Sequence, residues 1–328
     1  MSIIQSPYQI FSLERKDFLN AALDIFRFQA KNCLIYKDYI YQIGVDCNAV
    51  ERLDQIPFLP IQFFKSHKVV SKKQESYCLF ESSATSGQTT AKHYVADEDL
   101  YKESILKSFE SALGPVQDKV ILGLLPHYLE RKNSSLIYMV DYLMKQSGQE
   151  IDGFFLDKEE ELFKLLQQLE ARRQSTILFG VSFALLDFAK KFSIHLKFVQ
   201  IIETGGMKGR GQEQTREVLH AKLQKSFGSK NIYSEYGMAE LLSQSYYLSD
   251  NLFVPPPWKQ VLIRDLYDPL TTTTYGKGAL NIIDLANINS CSFIASEDIG
   301  TLESSGNFNV LGRMDASEIR GCNLLLND

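Results

Sequence analysis

From residue 77 onward, short apolar runs rich in β-forming residues alternate with stretches in which apolar residues recur at helical spacing. This alternation predicts an α/β layer fold in which crossover helices connect the strands. Strands are predicted at residues 77–80, 120–125, 176–179 and 198–202. Helices are predicted between Asp97 as cap and Gly114, from Ser134 or Ser135 to Gly148, and over residues 157–172.

The pattern changes after three consecutive prolines at positions 255 to 257. Beyond them, helical spacing gives way to short strand-like runs at 261–263, 280–283, 292–295 and 308–311. Residues 1–75 are helical in character. We therefore expect three parts: a helical N-terminal segment (1–75), an α/β core (76–254) and a β-rich subdomain (255–328).

Composition excludes two classes of protein. The chain is 45% hydrophobic and 23% charged, a mixture that can bury a large core and argues against disorder. Its 35 Lys+Arg against 40 Asp+Glu give a formal net charge of -5, so the chain offers no overall basic field for phosphates. We therefore expect no nucleic-acid partner.

The sequence shows no targeting signal and no disulfide framework. The longest strongly apolar stretch, residues 177–189, is too short to cross a bilayer and carries Asp187, so no membrane span is expected. The first ten residues lack a basic flank followed by an apolar run, which predicts a cytoplasmic protein. The five cysteines are an odd number without CxxC spacing, which predicts reduced thiols.

Three polar or glycine-rich segments follow predicted strands, where α/β sheets bind ligands. Residues 82–90 place six hydroxyl side chains around a glycine, and such a loop can wrap phosphates. Residues 203–210 contain paired glycines, which let the backbone approach a flat ring, together with two cations. Residues 233–240 offer Tyr236 as a stacking face and Glu240 as an oxygen ligand for magnesium. Each segment alone is also typical of an ordinary turn.

The order of these segments resembles the adenylate-forming (acyl-CoA synthetase-like) superfamily, whose signatures run from a Ser/Thr/Gly phosphate loop through a Gly-Gly adenine segment to a YGxTE-type motif. Residues 297–300 (EDIG) and 312–315 (GRMD) look like that superfamily's TGD and GRxD elements. A narrower resemblance, to the acyl-protein synthetase family of bacterial bioluminescence (LuxE-like proteins), lies in residues 125–131, 203–210 and 317–322. It covers roughly residues 60–328.

The resemblance implies the N-terminal domain fold of an adenylate-forming enzyme: layered sheets with flanking helices plus a C-terminal β-rich subdomain. It also implies ATP and Mg²⁺. The wider superfamily has a separate C-terminal domain with a catalytic lysine, which we expect this chain to lack, leaving Lys208 or Lys92 as candidate substitutes. Two positions depart from the motifs. Ala84 stands where glycine is common, and Ala239 stands where threonine usually precedes the glutamate.

By the resemblance, each part of the nucleotide has its own residues. The ATP phosphates would be bound by Ser82, Ser83, Thr85, Ser86, Gly87, Thr89 and Lys208. Adenine would be framed by Gly205, Gly206, Tyr236 and Gly237. Ribose would be bound by Asp298, whose carboxylate can accept hydrogen bonds from both hydroxyls, with Arg313 beside it. Glu240 would hold part of the magnesium coordination sphere.

The resemblance makes Cys322, Glu240 and His127 the candidate catalytic residues. Cys322 follows Arg320 and flexible Gly321, and the family's acylated cysteine lies near the C-terminus, so the residue suits an acyl acceptor. The alternative is a core thiol. His127 follows a strand end and could orient the substrate carboxylate or screen its charge. The alternative there is a hydrogen-bonded structural histidine.

The function implied is an ATP-dependent acyl-protein synthetase, a ligase forming carbon–sulfur bonds. It would activate a carboxylic acid, by the resemblance a fatty acid, as an acyl-adenylate and load it on Cys322 as a thioester. An acyl-reductase or acyl-carrier protein would be the partner. One alternative is an acyl- or aryl-CoA ligase with coenzyme A as acceptor. Another is a non-catalytic module that binds nucleotide or acyl groups.

Overall fold

The computed structural model of the chain describes residues 6–71, 73–82, 89–125, 133–151, 153–205, 215–248 and 251–314. The α-helices are α1 (Phe18–Asn32), α2 (Leu34–Gln42), α3 (Phe63–Ser66), α4 (Glu98–Leu113), α5 (Ser135–Ser147), α6 (Glu159–Ala171), α7 (Ser182–Lys191) and α8 (Arg216–Phe227). The strands are β1 (Leu59–Pro60), β2 (Cys78–Glu81), β3 (Lys92–Val95), β4 (Val120–Leu124), β5 (Gly153–Phe154), β6 (Thr176–Val181), β7 (Val199–Thr204), β8 (Ile232–Tyr236), β9 (Ser245–Tyr247), β10 (Phe253–Val254), β11 (Lys259–Arg264), β12 (Thr272–Thr273), β13 (Gly276–Asp284), β14 (Phe293–Leu302) and β15 (Phe308–Arg313).

The described residues divide into two compact units. Unit 1 contains those up to 71 and those from 257 onward, and unit 2 contains those from 73 to 256. The helical N-terminal segment therefore packs into the same unit as the β-rich C-terminal segment, although the two are far apart in sequence.

Unit 2 is built on a parallel sheet. Strands β5, β4, β6, β7 and β8 pair in that order, and β9 pairs antiparallel with both β8 and β10. Strands β4 and β6 are buried along their whole length, as expected for strands covered on both faces. Helix α5 packs against β4, α7 against β6 and β7, and α8 against β8. Strands β2 and β3 form a separate antiparallel hairpin.

The ends of the unit 2 helices confirm the caps predicted from the sequence. The Asp97 carboxylate accepts the Leu100 N–H at 3.0 Å at the start of α4. Ser134 accepts the Ile137 N–H in the same way at the start of α5, at 3.4 Å. Gly148 then ends α5 in the left-handed conformation, with φ of +63°, which glycine adopts without steric cost.

The apolar stretch at 177–189 divides into a strand and a helix. Strand β6 takes its first part, and α7 follows immediately, beginning at Ser182. Periodicity in the sequence predicts the strand and not the helix. In the described ranges, no helix is long and apolar enough to cross a membrane.

Unit 1 has an antiparallel sheet in the order β12-β11-β13-β14-β15, with β1 parallel to β14. Helix α1 packs on this sheet through Phe26, whose ring lies 6.1 Å from that of Phe293. The buried Gln29 amide joins the same two segments. Its Nε2 donates to the Asn287 carbonyl at 3.0 Å, and its Oε1 accepts the Ser292 N–H at 2.9 Å. A buried amide bonded on both sides holds the helix at one register.

Candidate functional site

Two neighbouring strands of unit 2 end side by side. Strands β7 and β8 are parallel and in register through the pairs Glu203–Ser234 and Thr204–Glu235. Gly205 follows β7 directly with φ of +76°, a conformation that favours glycine. The carboxyl edge of a parallel sheet is where α/β proteins bind ligands. The candidate residues that follow these two strands therefore emerge at the same edge.

Tyr236 is the last residue of β8, and Gly237 follows it directly. The Tyr236 side chain is largely buried, and its ring lies 5.6 Å from the Phe253 ring. A Cβ at Gly237 would meet the carboxylate of the Glu235 side chain, so the glycine leaves the backbone open there without displacing that side chain. An aromatic face next to a close backbone approach suits a flat ring system.

The loop after this strand end carries Glu240, which is only 5% exposed. A buried histidine of β3, His93, lies with its Nδ1 at 2.8 Å from the Ala239 carbonyl, and since a carbonyl only accepts, Nδ1 carries the proton. The Ser243 hydroxyl lies 2.9 Å from that of Ser104 on α4. The loop is thus held by a hydrogen bond on each side of the buried Glu240.

The Ser/Thr-rich segment is carried by the β2–β3 hairpin. Ser82 closes its base, since its N–H donates to the Ala91 carbonyl at 3.0 Å and its hydroxyl accepts the Ala91 N–H at 2.9 Å. Thr89 is exposed at the other end of the segment. Lys92 lies 3.9 Å from the Glu81 carboxylate, so its charge is already paired.

The candidate ribose residues belong to unit 1. Asp298 on β14 and Arg313 on β15 are direct cross-strand partners, and Arg313 Nε lies 3.5 Å from Asp298 Oδ1. The Asp298 side chain is 12% exposed and that of Arg313 is 68% exposed. Glu297 also lies 3.9 Å from the same guanidinium. The arrangement fixes a carboxylate next to a cation that is open to solvent.

The remaining candidates fall outside the described residues: Ser83, Thr85, Ser86, Gly87, His127, Gly206, Lys208 and Cys322.

The family model for acyl-protein synthetase, LuxE, matches residues 3–328. The chain belongs to this family. The resemblance read from the motifs is therefore confirmed. No curated protein sequence gives a significant match.

Solved structures similar to this acyl-protein synthetase family member are adenylate-forming ligases. 2-Hydroxyisobutyryl-CoA ligase in complex with 2-HIB-AMP and CoA has a TM-score of 0.64 and 11% identity, covering 96% of this chain and 80% of that one. ATP-bound MatB from Rhodopseudomonas palustris has a TM-score of 0.54 and 14% identity, covering 74% and 49%. A long-chain-fatty-acid-CoA ligase from Archaeoglobus fulgidus has a TM-score of 0.52 and 15% identity, covering 72% and 51%. The likeness confirms the expected fold, and the chain spans about half the length of the last two proteins.

Sequence analysis of this LuxE family member assigns no role to two sets of polar side chains that are buried or half-buried. One is His93, which contacts the Glu240 loop. The other consists of residues behind the strand ends: Ser182, Glu203, Arg216, His220 and Ser234. Glu203 and Ser234 lie within predicted segments, where the sequence gives neither of them a role, whereas Ser182, Arg216 and His220 belong to α7 and α8 and show no motif of their own.

Proposed function

We propose that the chain activates a carboxylic acid with ATP and transfers the acyl group to a thiol. In the first step the substrate carboxylate oxygen attacks the α-phosphorus, the bond from that phosphorus to the bridging oxygen breaks, and pyrophosphate leaves. In the second step a thiolate attacks the acyl carbon, a carbon–sulfur bond forms, and AMP leaves with the electron pair of the broken carbon–oxygen bond. A fatty acid is the substrate class that the family suggests.

The observation that carries this proposal is the position of Glu240. Its buried carboxylate sits on a braced loop directly after the Tyr236–Gly237 strand end, in a chain of the acyl-protein synthetase family. Phosphoryl and adenylyl transfer depend mainly on positioning and on neutralising charge. A buried carboxylate on such a loop, beside the residues proposed to bind the nucleotide, would serve both needs.

Magnesium fits this donor set. Mg²⁺ in proteins is usually held by one or two carboxylates together with substrate phosphates, and Glu240 offers a hard oxygen donor on a braced loop. In the proposal Glu240 would hold the ion together with ATP oxygens. The ion would supply neutralisation of the phosphate charge.

The other residues keep the roles expected for them. Gly205 and Tyr236 would frame adenine, and Asp298 would accept hydrogen bonds from the ribose hydroxyls with Arg313 beside it. The Ser/Thr-rich segment, residues 82–90, and Lys208 would bind the leaving phosphates. His127 would orient the substrate carboxylate.

Cys322 is the proposed acceptor, and the acyl group would pass from it to an acyl-reductase or acyl-carrier protein. The test is the intact mass of the protein after incubation with ATP, Mg²⁺ and a panel of fatty acids. We expect an ATP-dependent acyl adduct that hydroxylamine cleaves, present in the wild type and absent in Cys322→Ser. Cys47→Ser is the matched control, because Cys47 is a partly exposed thiol in unit 1 that forms no disulfide.

Three outcomes separate the alternatives. An adduct lost only in Cys322→Ser supports self-acylation. Pyrophosphate release without any adduct, combined with thioester formation on added coenzyme A, would contradict Cys322 as acceptor and favour a coenzyme A ligase. ATP binding without pyrophosphate release for any acid would contradict the enzyme assignment.

Asp298→Asn should raise the KM for ATP by about 10-fold and change kcat by less than about threefold, because the amide replaces a charged acceptor of two hydroxyl groups. Steady-state ATP–pyrophosphate exchange measures both constants. Glu303→Gln, an exposed carboxylate just after β14, is the control and should leave both constants unchanged. A wild-type KM in Asp298→Asn would contradict the ribose role.

A further inference from the structure

Two pairs of side chains join β7 and β8 just before these strands end. The Ser234 hydroxyl donates to Glu203 Oε2 at 2.8 Å, and the Thr204 hydroxyl donates to Glu235 Oε2 at 2.9 Å. Both pairs are direct neighbours in the strand register. The strand ends that carry the candidate adenine residues are therefore held together by side chains as well as by the sheet.

The Glu203 carboxylate is the centre of this arrangement and is only 5% exposed. Its other oxygen accepts a hydrogen bond from the Ser182 hydroxyl at the start of α7. The guanidinium of Arg216 is attracted to the same carboxylate, although burial is the larger influence and lowers the pKa of Arg216. A buried carboxylate with two hydroxyl donors and a nearby cation has its hydration replaced on several sides, which keeps it in one orientation.

His220 on α8 extends the arrangement. Its Nε2 lies 2.8 Å from the Ser234 hydroxyl oxygen. Since the Ser234 proton is donated to Glu203, the hydroxyl oxygen must accept from His220, and Nε2 carries the proton. The serine therefore lies between the histidine and the carboxylate. A hydrolytic triad has its histidine in the middle, so this order serves positioning and does not activate a nucleophile.

Aromatic rings connect the arrangement to the candidate adenine residue. The Arg216 guanidinium lies 4.5 Å from the centre of the Phe253 ring and 5.3 Å from that of Tyr247. Phe253 in turn packs against Tyr236 at 5.6 Å. The cation thus packs on Phe253, the ring that contacts Tyr236, and it is also attracted to the Glu203 carboxylate.

We propose that Glu203, Ser182, Ser234 and His220 are positioning residues for ATP, which fix the β7 and β8 ends in the conformation that accepts adenine. We call this set the strand-end network. The proposal rests on the proposed function, in which Gly205 and Tyr236 frame the adenine ring. The network would act on the affinity for ATP and not on the acyl substrate or on the thiol.

Ser234→Ala tests the network, because it removes the hydroxyl that joins Glu203 to His220. We expect the KM for ATP in ATP–pyrophosphate exchange, and the Kd of ATP in equilibrium dialysis, to rise by about 10-fold. The KM for the acid and kcat should stay within about threefold of the wild type. Ser234→Thr keeps the hydroxyl and should restore ATP affinity. Ser147→Ala is the control, because it removes a buried hydroxyl whose hydrogen bonds are local, to Met144 in α5 and to Gln149 just after the helix.

A merely structural role would give a different result. Loss of kcat in Ser234→Ala with an unchanged Kd for ATP would overturn the positioning role. If Ser234→Ala fails to fold, Ser182→Ala removes the donor to the other Glu203 oxygen and is measured in the same way. Wild-type protein that binds ATP but exchanges no pyrophosphate would contradict the proposed function, and the Kd ratio would still decide the role of the network.

Discussion

Glu240→Gln is expected to lower the rate of carboxylate-dependent ATP–pyrophosphate exchange by about 100-fold or more. The glutamine amide has nearly the shape of the carboxylate but no charge, and a neutral amide is a weaker ligand for Mg²⁺. Because Glu240 is only 5% exposed on a braced loop, the isosteric change avoids a cavity and isolates the effect of charge. Exchange of labelled pyrophosphate at saturating ATP and acid measures the loss.

Two comparison variants and a metal titration identify the cause of the activity loss in Glu240→Gln. Glu240→Asp keeps the charge on a shorter side chain, and its exchange rate should fall by only about 10-fold. Glu160→Gln removes an exposed carboxylate on α6 and should match the wild type. If the carboxylate binds the ion, raising the Mg²⁺ concentration should recover part of the activity of Glu240→Asp. Exchange by Glu240→Gln within threefold of the wild type, at every Mg²⁺ concentration tested, would refute the role of Glu240.

The local chemistry of helix ends made much of the fold predictable from sequence. Asp97 and Gly148 act through the nearest turn of backbone, so their positions in the sequence suffice to predict α4 and α5. Helix α7 was not predicted because the apolar run of β6 continues into it, and periodicity in a short apolar run does not separate strand from helix. The sheet order decides where the strand ends and the helix begins.

In the candidate site, too, local features were predictable from the sequence and tertiary contacts were not. The order of Gly205, Tyr236 and Glu240 along the chain is a local property and was visible as a motif series. The residues that support them are tertiary neighbours. His93 and Ala239 are separated by 146 positions, and Glu203 and Ser234 by 31. No spacing in the sequence predicts which buried hydroxyl or imidazole will meet which carboxylate, because this depends on which strands become neighbours in the sheet.

Ser82 illustrates a limit of motif interpretation. The sequence places it among the phosphate-binding hydroxyls, while the structure gives its oxygen a hydrogen bond from Ala91 at the base of the segment. The hydroxyl can still donate its own proton, so a phosphate contact remains part of the proposal. Its first contribution is to close the hairpin, and a motif alone does not separate such support from ligand binding.

The unfolding free energy of the protein should fall as the pH decreases from about 6.5 to 4, in a step that depends on His220. Burial is the main cause that lowers the pKa of His220 to about 4, and the nearby Arg216 charge adds to it while Glu217 opposes it. In the unfolded chain the imidazole has a pKa near 6.5. Between these values the unfolded state binds one more proton than the folded state, so acidification favours unfolding.

Across the pH interval between the two pKa values, the unfolding free energy should fall by roughly 2–3 kcal/mol for a buried imidazole. His220→Gln tests this, because the glutamine amide can donate to Ser234 but does not titrate. Urea unfolding at fixed pH values gives the free energy for both proteins, and the advantage of the wild type over the variant should shrink towards pH 4. His67→Gln changes an exposed histidine and should follow the wild-type pH profile. Parallel profiles for the wild type and His220→Gln would show that His220 takes up its proton as easily in the folded state as in the unfolded one, which its burial and the nearby Arg216 charge argue against.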